Sequence, residues 1–361
     1  MIAHTGPETQ RTASDRYDQG TPRGYKRWLR RPTSQYWIAP ILLFVLLLPL
    51  LYFEGFHVLS LASSLVKTAA AFTLLALGAS VVIATSNIDL SSIGVASMSG
   101  VLFALILSSV HVSHSLAILI AAAGSLAFAA CSGLLVSFCF LRLKSPLLIF
   151  TWALGAIYNV ITILIARLAP HSDVSGVALP WRPPNDMWAF GHIGFWLSAL
   201  ITAVAIIAMS LINLPQRAQA IGASETSAAF IGISRNRTLT ECFVLNSLLA
   251  CAAGILHSLY LEQASTSDLP GKELIPIAIA VLGGTALSGG YMSAWSVTAA
   301  SLFWAATRLL GPHLPQLLPF LSPIAAEVGQ ILFYSIFLII SLCFGALLAP
   351  RFSKIYAQRE A

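Results

Sequence analysis

Only 9% of the 361 residues are charged, with a formal charge of +6, whereas an ordinary soluble domain is about a quarter charged. With 57% hydrophobic residues and a mean hydropathy of +0.82, lipid must be the solvent for most of the molecular surface. No stretch between the apolar runs is long enough to form a soluble domain. That excludes a built-in ATPase.

The chain opens with a polar cytoplasmic tail, 1–35, that carries Arg23, Lys26, Arg27, Arg30 and Arg31. Its length argues against a cleavable signal peptide. A bilayer-spanning helix needs about 20 mostly apolar residues, because each backbone polar group must find its partner within the segment. Candidate spans are 37–53, 66–85, 91–110, 115–140, 146–167, 193–213, 239–262, 274–287, 293–310 and 324–349. The expected architecture is therefore an all-α polytopic membrane protein of about ten transmembrane helices. The permease-like core would run over 36–349, followed by a short tail, 350–361. The third and eighth spans, short or rich in Ser and Gly, are the ones expected to be broken or re-entrant.

With the N-terminus in the cytoplasm, fifteen of the twenty basic residues fall on the inner side. Seven lie in the first tail, followed by Arg142 and Lys144, then Arg217, Arg235 and Arg237, then Arg351, Lys354 and Arg359. Lys67, Arg167, Arg182, Lys272 and Arg308 are the exceptions. This bias puts both termini in the cytoplasm and reads as a topology signal, not as a nucleic-acid surface. The outer loop over about 168–192 is rich in proline and holds Trp181 and Trp188, suited to interfacial anchoring. Cysteines lie inside apolar runs, and no His pair has zinc-like spacing on a confident helix, so no metal site is expected. Gly271-Lys272 is not a Walker A loop, because Thr266 and Glu273 stand where Gly and Ser or Thr are needed.

The sizeable inner loop is 215–238. Ser224 is a good N-cap, Glu225 suits the positive end of a helix dipole, and Gly232 is placed to end the helix. Between them, Ala228, Ala229 and Phe230 give an apolar face on a helix too short to be stable alone. It needs a surface to dock against, and Ala228 and Ala229 would suit a tight groove. Asp89 stands just ahead of the third span, where it would cap that helix. Gly283, Gly284, Gly289 and Gly290 mark a helix break or a close approach of backbones. Polar residues inside spans are candidates for a solute path: Thr151, Asn159 and Asn246, with Trp152 as a stacking surface.

Three segments carry a resemblance. Residues 220–233, AIGASETSAAFIGI, resemble the cytoplasmic coupling loop of ribose-type ABC importer permeases. Ile88-Asp89-Leu90-Ser91 resembles the family's Ile-Asp-Leu-Ser segment, and residues 282–290, LGGTALSGG, resemble its Leu-Gly-Gly-Thr-x-Leu-Ser-Gly-Gly signature. The resemblance spans roughly 66–349. It departs at Ser86-Asn87, where the family has two glycines, at Tyr291-Met292, where it has Arg-Gly, and at Ser296 and Ala300. The resemblance implies an inner-membrane permease subunit, not an enzyme, that moves a sugar or sugar-like solute. Ser224, Glu225, Ala228, Ala229, Phe230 and Gly232 would contact separate ABC ATPase subunits, which use ATP and Mg. The chain itself would bind no cofactor. A periplasmic solute-binding protein and a second permease copy, or a related permease, complete the implied assembly. A branched-chain amino-acid permease and a stand-alone secondary carrier are the alternatives.

Overall fold

The computed structural model describes residues 57–110, 112–168, 172–173, 176–179 and 193–310, with a few positions between 41 and 52 and at 313 and 339. Its helices are α1 (Val58–Ala84), α2 (Ser92–Ser109), α3 (His114–Leu141), α4 (Leu147–Leu168), α5 (Ile193–Leu211), α6 (Leu214–Ala223), α7 (Glu225–Phe230), α8 (Arg235–Leu261), α9 (Leu274–Leu282) and α10 (Ala294–Leu310). Five of them, α1 to α4 and α8, are long and apolar enough to cross a membrane; the bent pair α5–α6 (59°) makes a sixth if it is one span. The spans expected over 37–53 and 324–349 lie largely outside the described residues.

Among the five span-length helices, the most apolar are not the innermost. α3 and α4 have the highest hydropathy of the five yet are mostly exposed, whereas α1 is almost wholly enclosed. Lipid removes the incentive to hide leucine, so the interior is chosen by how closely backbones can approach. Small residues line the buried length of α1: Ala69, Ala70, Ala71, Ala76 and Ala79. On α8, a Cβ built on Gly254 would collide with the Ala96 carbonyl of α2. The Ala250/Gly254 pair is thus a packing surface. Across the centre, Phe72 meets Trp304 with ring centroids 4.0 Å apart.

Two expectations about weak spans resolve differently. The third is a continuous helix, α2, of 18 residues. The eighth is a true break: α9 has nine residues and ends at Gly283. The N–H groups of Gly284 and Thr285 donate back to the Val281 and Ala280 carbonyls, and Gly284 adopts φ +85°. Those two bonds satisfy the carbonyls that a terminating helix would leave bare.

The proline-rich outer loop also holds regular structure. Ser172–Asp173 (β1) and Gly176–Ala178 (β2) form two antiparallel strands, and β2 pairs with Gln263–Ser265 (β3) just after α8. Val177, Leu179 and Ala264 cover the ends of α2 and α3. This sheet marks one end of the bundle; α6 and α7 mark the other.

Candidate functional site

At the end opposite the sheet, the 220–233 and 282–290 motif segments meet the end of α1, just ahead of Ile88-Asp89-Leu90-Ser91. The N–H of Gly290 donates to the Ala84 carbonyl at 2.9 Å, and Ser86 Oγ donates to the Ser288 carbonyl at 2.7 Å. Gly222, at the end of α6, lies against both: a Cβ there would strike the Ala84 carbonyl and come within 2.6 Å of Gly290 N. A Cβ on Gly290 would stand 3.3 Å from that of Ala223, and one on Gly289 would collide with Ser86. A Cβ on Gly283 would fall 2.6 Å from Val297 Cα. Three segments far apart in sequence, at Ala84, Gly222 and Gly290, thus form one junction whose closeness depends on missing side chains.

The adjoining loop folds as its residues dictate. Ser224 Oγ accepts the Ser227 N–H at 3.2 Å, capping α7. At the other end, Gly232 N–H donates to Ala229 O and Ile233 N–H to Ala228 O, both at 3.0 Å, with Gly232 at φ +82°. Ion pairs hold the loop on α8. Glu225 Oε2 is 3.1 Å from Arg235 Nε, and Glu241 binds both Arg217 at 2.6 Å and Arg237 at 2.8 Å. Exposed pairs of this kind contribute about 0–1 kcal/mol each, so they orient the loop more than they stabilise it.

One expected contact needs correction. Ala228 is 2% exposed, packed within its own chain, and is not a free groove contact. The surface of α7 belongs instead to Phe230, 92% exposed, and Ile231, 72% exposed. On so short a helix, one face must fold back on α6 and α8, and the small residue takes that side.

Asp89 also differs from expectation. α2 begins at Ser92, with no side-chain cap on its N-terminus. Asp89 is buried and turns inward: Oδ1 accepts from Ser91 N–H at 2.8 Å and Ser91 Oγ at 2.7 Å. Oδ2 accepts from Asn246 Nδ2 at 2.9 Å. Thr151 Oγ1 accepts the Leu90 N–H at 3.1 Å. Asp89, Thr151 and Asn246 are thus brought together as a packed polar joint between α1, α2, α4 and α8. The packing there is close: a Cβ on Gly78 would lie 2.5 Å from Asn246 Oδ1. Trp152 is 59% exposed beside the equally exposed Leu148 and Ile149, on the outer apolar face. Asn159 is half-buried on α4, its amide oxygen enclosed without a partner among the described residues. Of the four expected path residues, Thr151 and Asn246 thus meet at this joint, while Trp152 faces outward.

A protein family described as branched-chain amino acid transport system / permease component matches residues 61–341. The inner membrane ABC transporter permease protein YjfF of Escherichia coli is 32% identical over 246 residues, covering 66% of this chain and 71% of that protein. The ribose import permease protein RbsC of Escherichia coli is 27% identical, covering 60% and 67%. The autoinducer 2 import system permease protein LsrC of Klebsiella pneumoniae is 27% identical, covering 73% and 74%. No solved structure matches the chain.

Proposed function

Because the chain belongs to the branched-chain amino acid transport system / permease component family, on its sugar-type ABC importer branch, we propose that it moves a sugar-like solute across the bacterial inner membrane by alternating access. It is a transport subunit, and ATP hydrolysis belongs to a separate subunit. In this reading the end that holds α6 and α7 faces the cytoplasm, as the basic residues require. Two copies of the chain form the pathway, and a periplasmic binding protein delivers solute at the sheet end. Ribose is the solute in the name of RbsC, and fructose in that of a further relative, the fructose import permease protein FruF of Bifidobacterium longum.

The observation that carries the reading is the exposed apolar tip of α7, seated beside the junction. Phe230 and Ile231 have no use in water, and a self-sufficient carrier has no reason to display them there. A cleft on an ATPase subunit would bury both. Movement of that tip would pass through α6 and Gly222 into Ala84 and Gly290, and so to α1 and the broken helix α9. Co-expression of the chain with its ATPase tests this. Phe230→Asp together with Ile231→Asp should leave membrane insertion intact while abolishing ATPase co-purification and ATP-dependent uptake. Normal uptake by that variant overturns the reading.

A further inference from the structure

Four ionisable side chains from separate segments meet away from the junction. His257 Nε2, near the end of α8, lies 2.5 Å from Asp268 Oδ2. Lys272 Nζ is 3.3 Å from Asp268 Oδ1, and Arg308 Nη2, from α10, is 4.0 Å from the same oxygen. From sequence, Lys272 and Arg308 were exceptions to the inner-side bias of basic residues. The fold brings them together with His257 and Asp268.

At 1.5 Å per residue, the nine residues of α9 lift its start only about 14 Å above the junction. That is about half of a 30 Å hydrocarbon layer, and Lys272 lies two residues before it. Along α10, Arg308 is fourteen residues from Ala294, or about 21 Å. Along α8, His257 is sixteen residues beyond Glu241, which is tied to α6; that is about 24 Å. With the junction at the inner face, as in the reading above, these rises put the cluster in the outer half of the layer.

At that depth the side chains of Asp268, Lys272 and Arg308 remain 20–27% exposed. Ionised groups inside a membrane do not face lipid; they face water or protein. The backbone between β3 and α9 is also non-helical, with the Lys272 N–H turned back onto the Leu269 carbonyl at 3.2 Å. Such backbone survives at membrane depth only when buried in protein or lining a wet cavity. A Cβ on Gly271 would meet nothing within 4 Å, so the segment borders open space.

We infer that this cluster lines the outer half of the solute path and is a binding site for a polyhydroxylated solute. The inference rests on the sugar-importer reading above. A hydroxyl both donates and accepts, and the cluster offers each role side by side. The Asp268 carboxylate accepts. Lys272 and Arg308 stand farther from it than the about 2.7–2.9 Å of a charge-assisted hydrogen bond, which leaves them donors to spare.

The test uses the whole importer, with its ATPase and binding protein, in proteoliposomes. Gly271→Cys, with Lys272→Cys as a second position, is probed with a membrane-impermeant thiol reagent against the parent protein as background. We expect labelling above background, slowed several-fold by sugar-loaded binding protein. Asp268→Asn and Lys272→Gln should keep ATPase co-purification but cut radiolabelled sugar uptake at least tenfold, and should change the ratio of ribose to fructose uptake. A merely structural role would lower both sugars equally. Absent labelling at both positions, or labelling without protection together with an unchanged sugar ratio, overturns the proposal. A parent that takes up neither sugar defeats the functional reading instead, and labelling still decides whether the cluster faces water.

Discussion

Ser86 Oγ donates to the Ser288 carbonyl across 202 positions of sequence, at 2.7 Å, from a residue held at φ +62°. This serine stands where the family pattern it resembles has glycine, and a positive φ is the conformation that glycine adopts most readily. The left-handed region costs an L-residue about 1–2 kcal/mol. Serine offsets part of that with a bond that glycine cannot make, and it ties the end of α1 to the loop that follows α9. One departure from the family pattern is therefore a different solution to the same turn.

Ser86→Gly should accordingly be close to neutral in thermal unfolding, since relief of strain and loss of one exposed bond are each about 1 kcal/mol. Ser86→Val keeps the strain, loses the bond and adds bulk beside Gly289. It should lower the unfolding midpoint clearly. Equal midpoints for the two variants would remove the argument from φ.

The buried joint at Asp89 makes a stronger demand. Asp89→Ala strands the Ser91 N–H inside the bundle, at a cost of about 1–3 kcal/mol, and leaves Asn246 Nδ2 with only its 3.3 Å bond to Ser92 Oγ. Asn246→Ala should cost less in the Asp89→Ala background than alone, because the two share one bond. A double-mutant cycle on detergent-solubilised protein measures the difference. Strict additivity would mean that the bond at 2.9 Å contributes nothing.

Much of this was legible in sequence because it is local. The cap at Ser224, the stop at Gly232 and the break after α9 each follow from a few adjacent residues. What sequence could not supply was depth and facing. Whether Ala228 or Phe230 points outward depends on where α6 and α8 lie. Lys272 looked like an outer-loop residue because the local signs of a break after α9 do not say how deep that helix begins. The proline-rich loop gave no strand signal because β2 finds its second partner, β3, more than 80 residues away.

The inward facing of Ala228 has its own consequence. Ala228→Arg forces a long cation into a site that is 2% exposed, so it should unfold the loop. Ala229→Arg lies on an exposed position and should leave folding intact while disturbing the ATPase contact. Limited proteolysis of the membrane-inserted protein separates the two outcomes. Similar protease sensitivity for both would contradict the observed rotation of α7.

The two glycines that flank this loop are required for opposite reasons, and substitution can tell them apart. Gly232 has φ +82° with nothing within 4 Å of a would-be Cβ; its constraint is conformational only. Asparagine tolerates that region better than other residues with side chains, so Gly232→Asn should retain most transport. Gly232→Val should lose it, with about 1–2 kcal/mol of strain falling on a helix of two turns at most. Gly222 is the reverse case. It sits within α6 and needs no unusual backbone, but any Cβ collides with the Ala84 carbonyl. Neither atom can retreat alone, because Ala84 O is also bonded to Gly290 N–H. Gly222→Ala and Gly222→Asn should therefore fail alike, pushing α6 from α1 and weakening ATP-driven uptake while the exposed tip still binds the ATPase. Uptake assays beside ATPase co-purification read both effects. Recovery of Gly222→Asn to the level of Gly232→Asn would show that the junction yields, and that the close approach is not what transmits the motion.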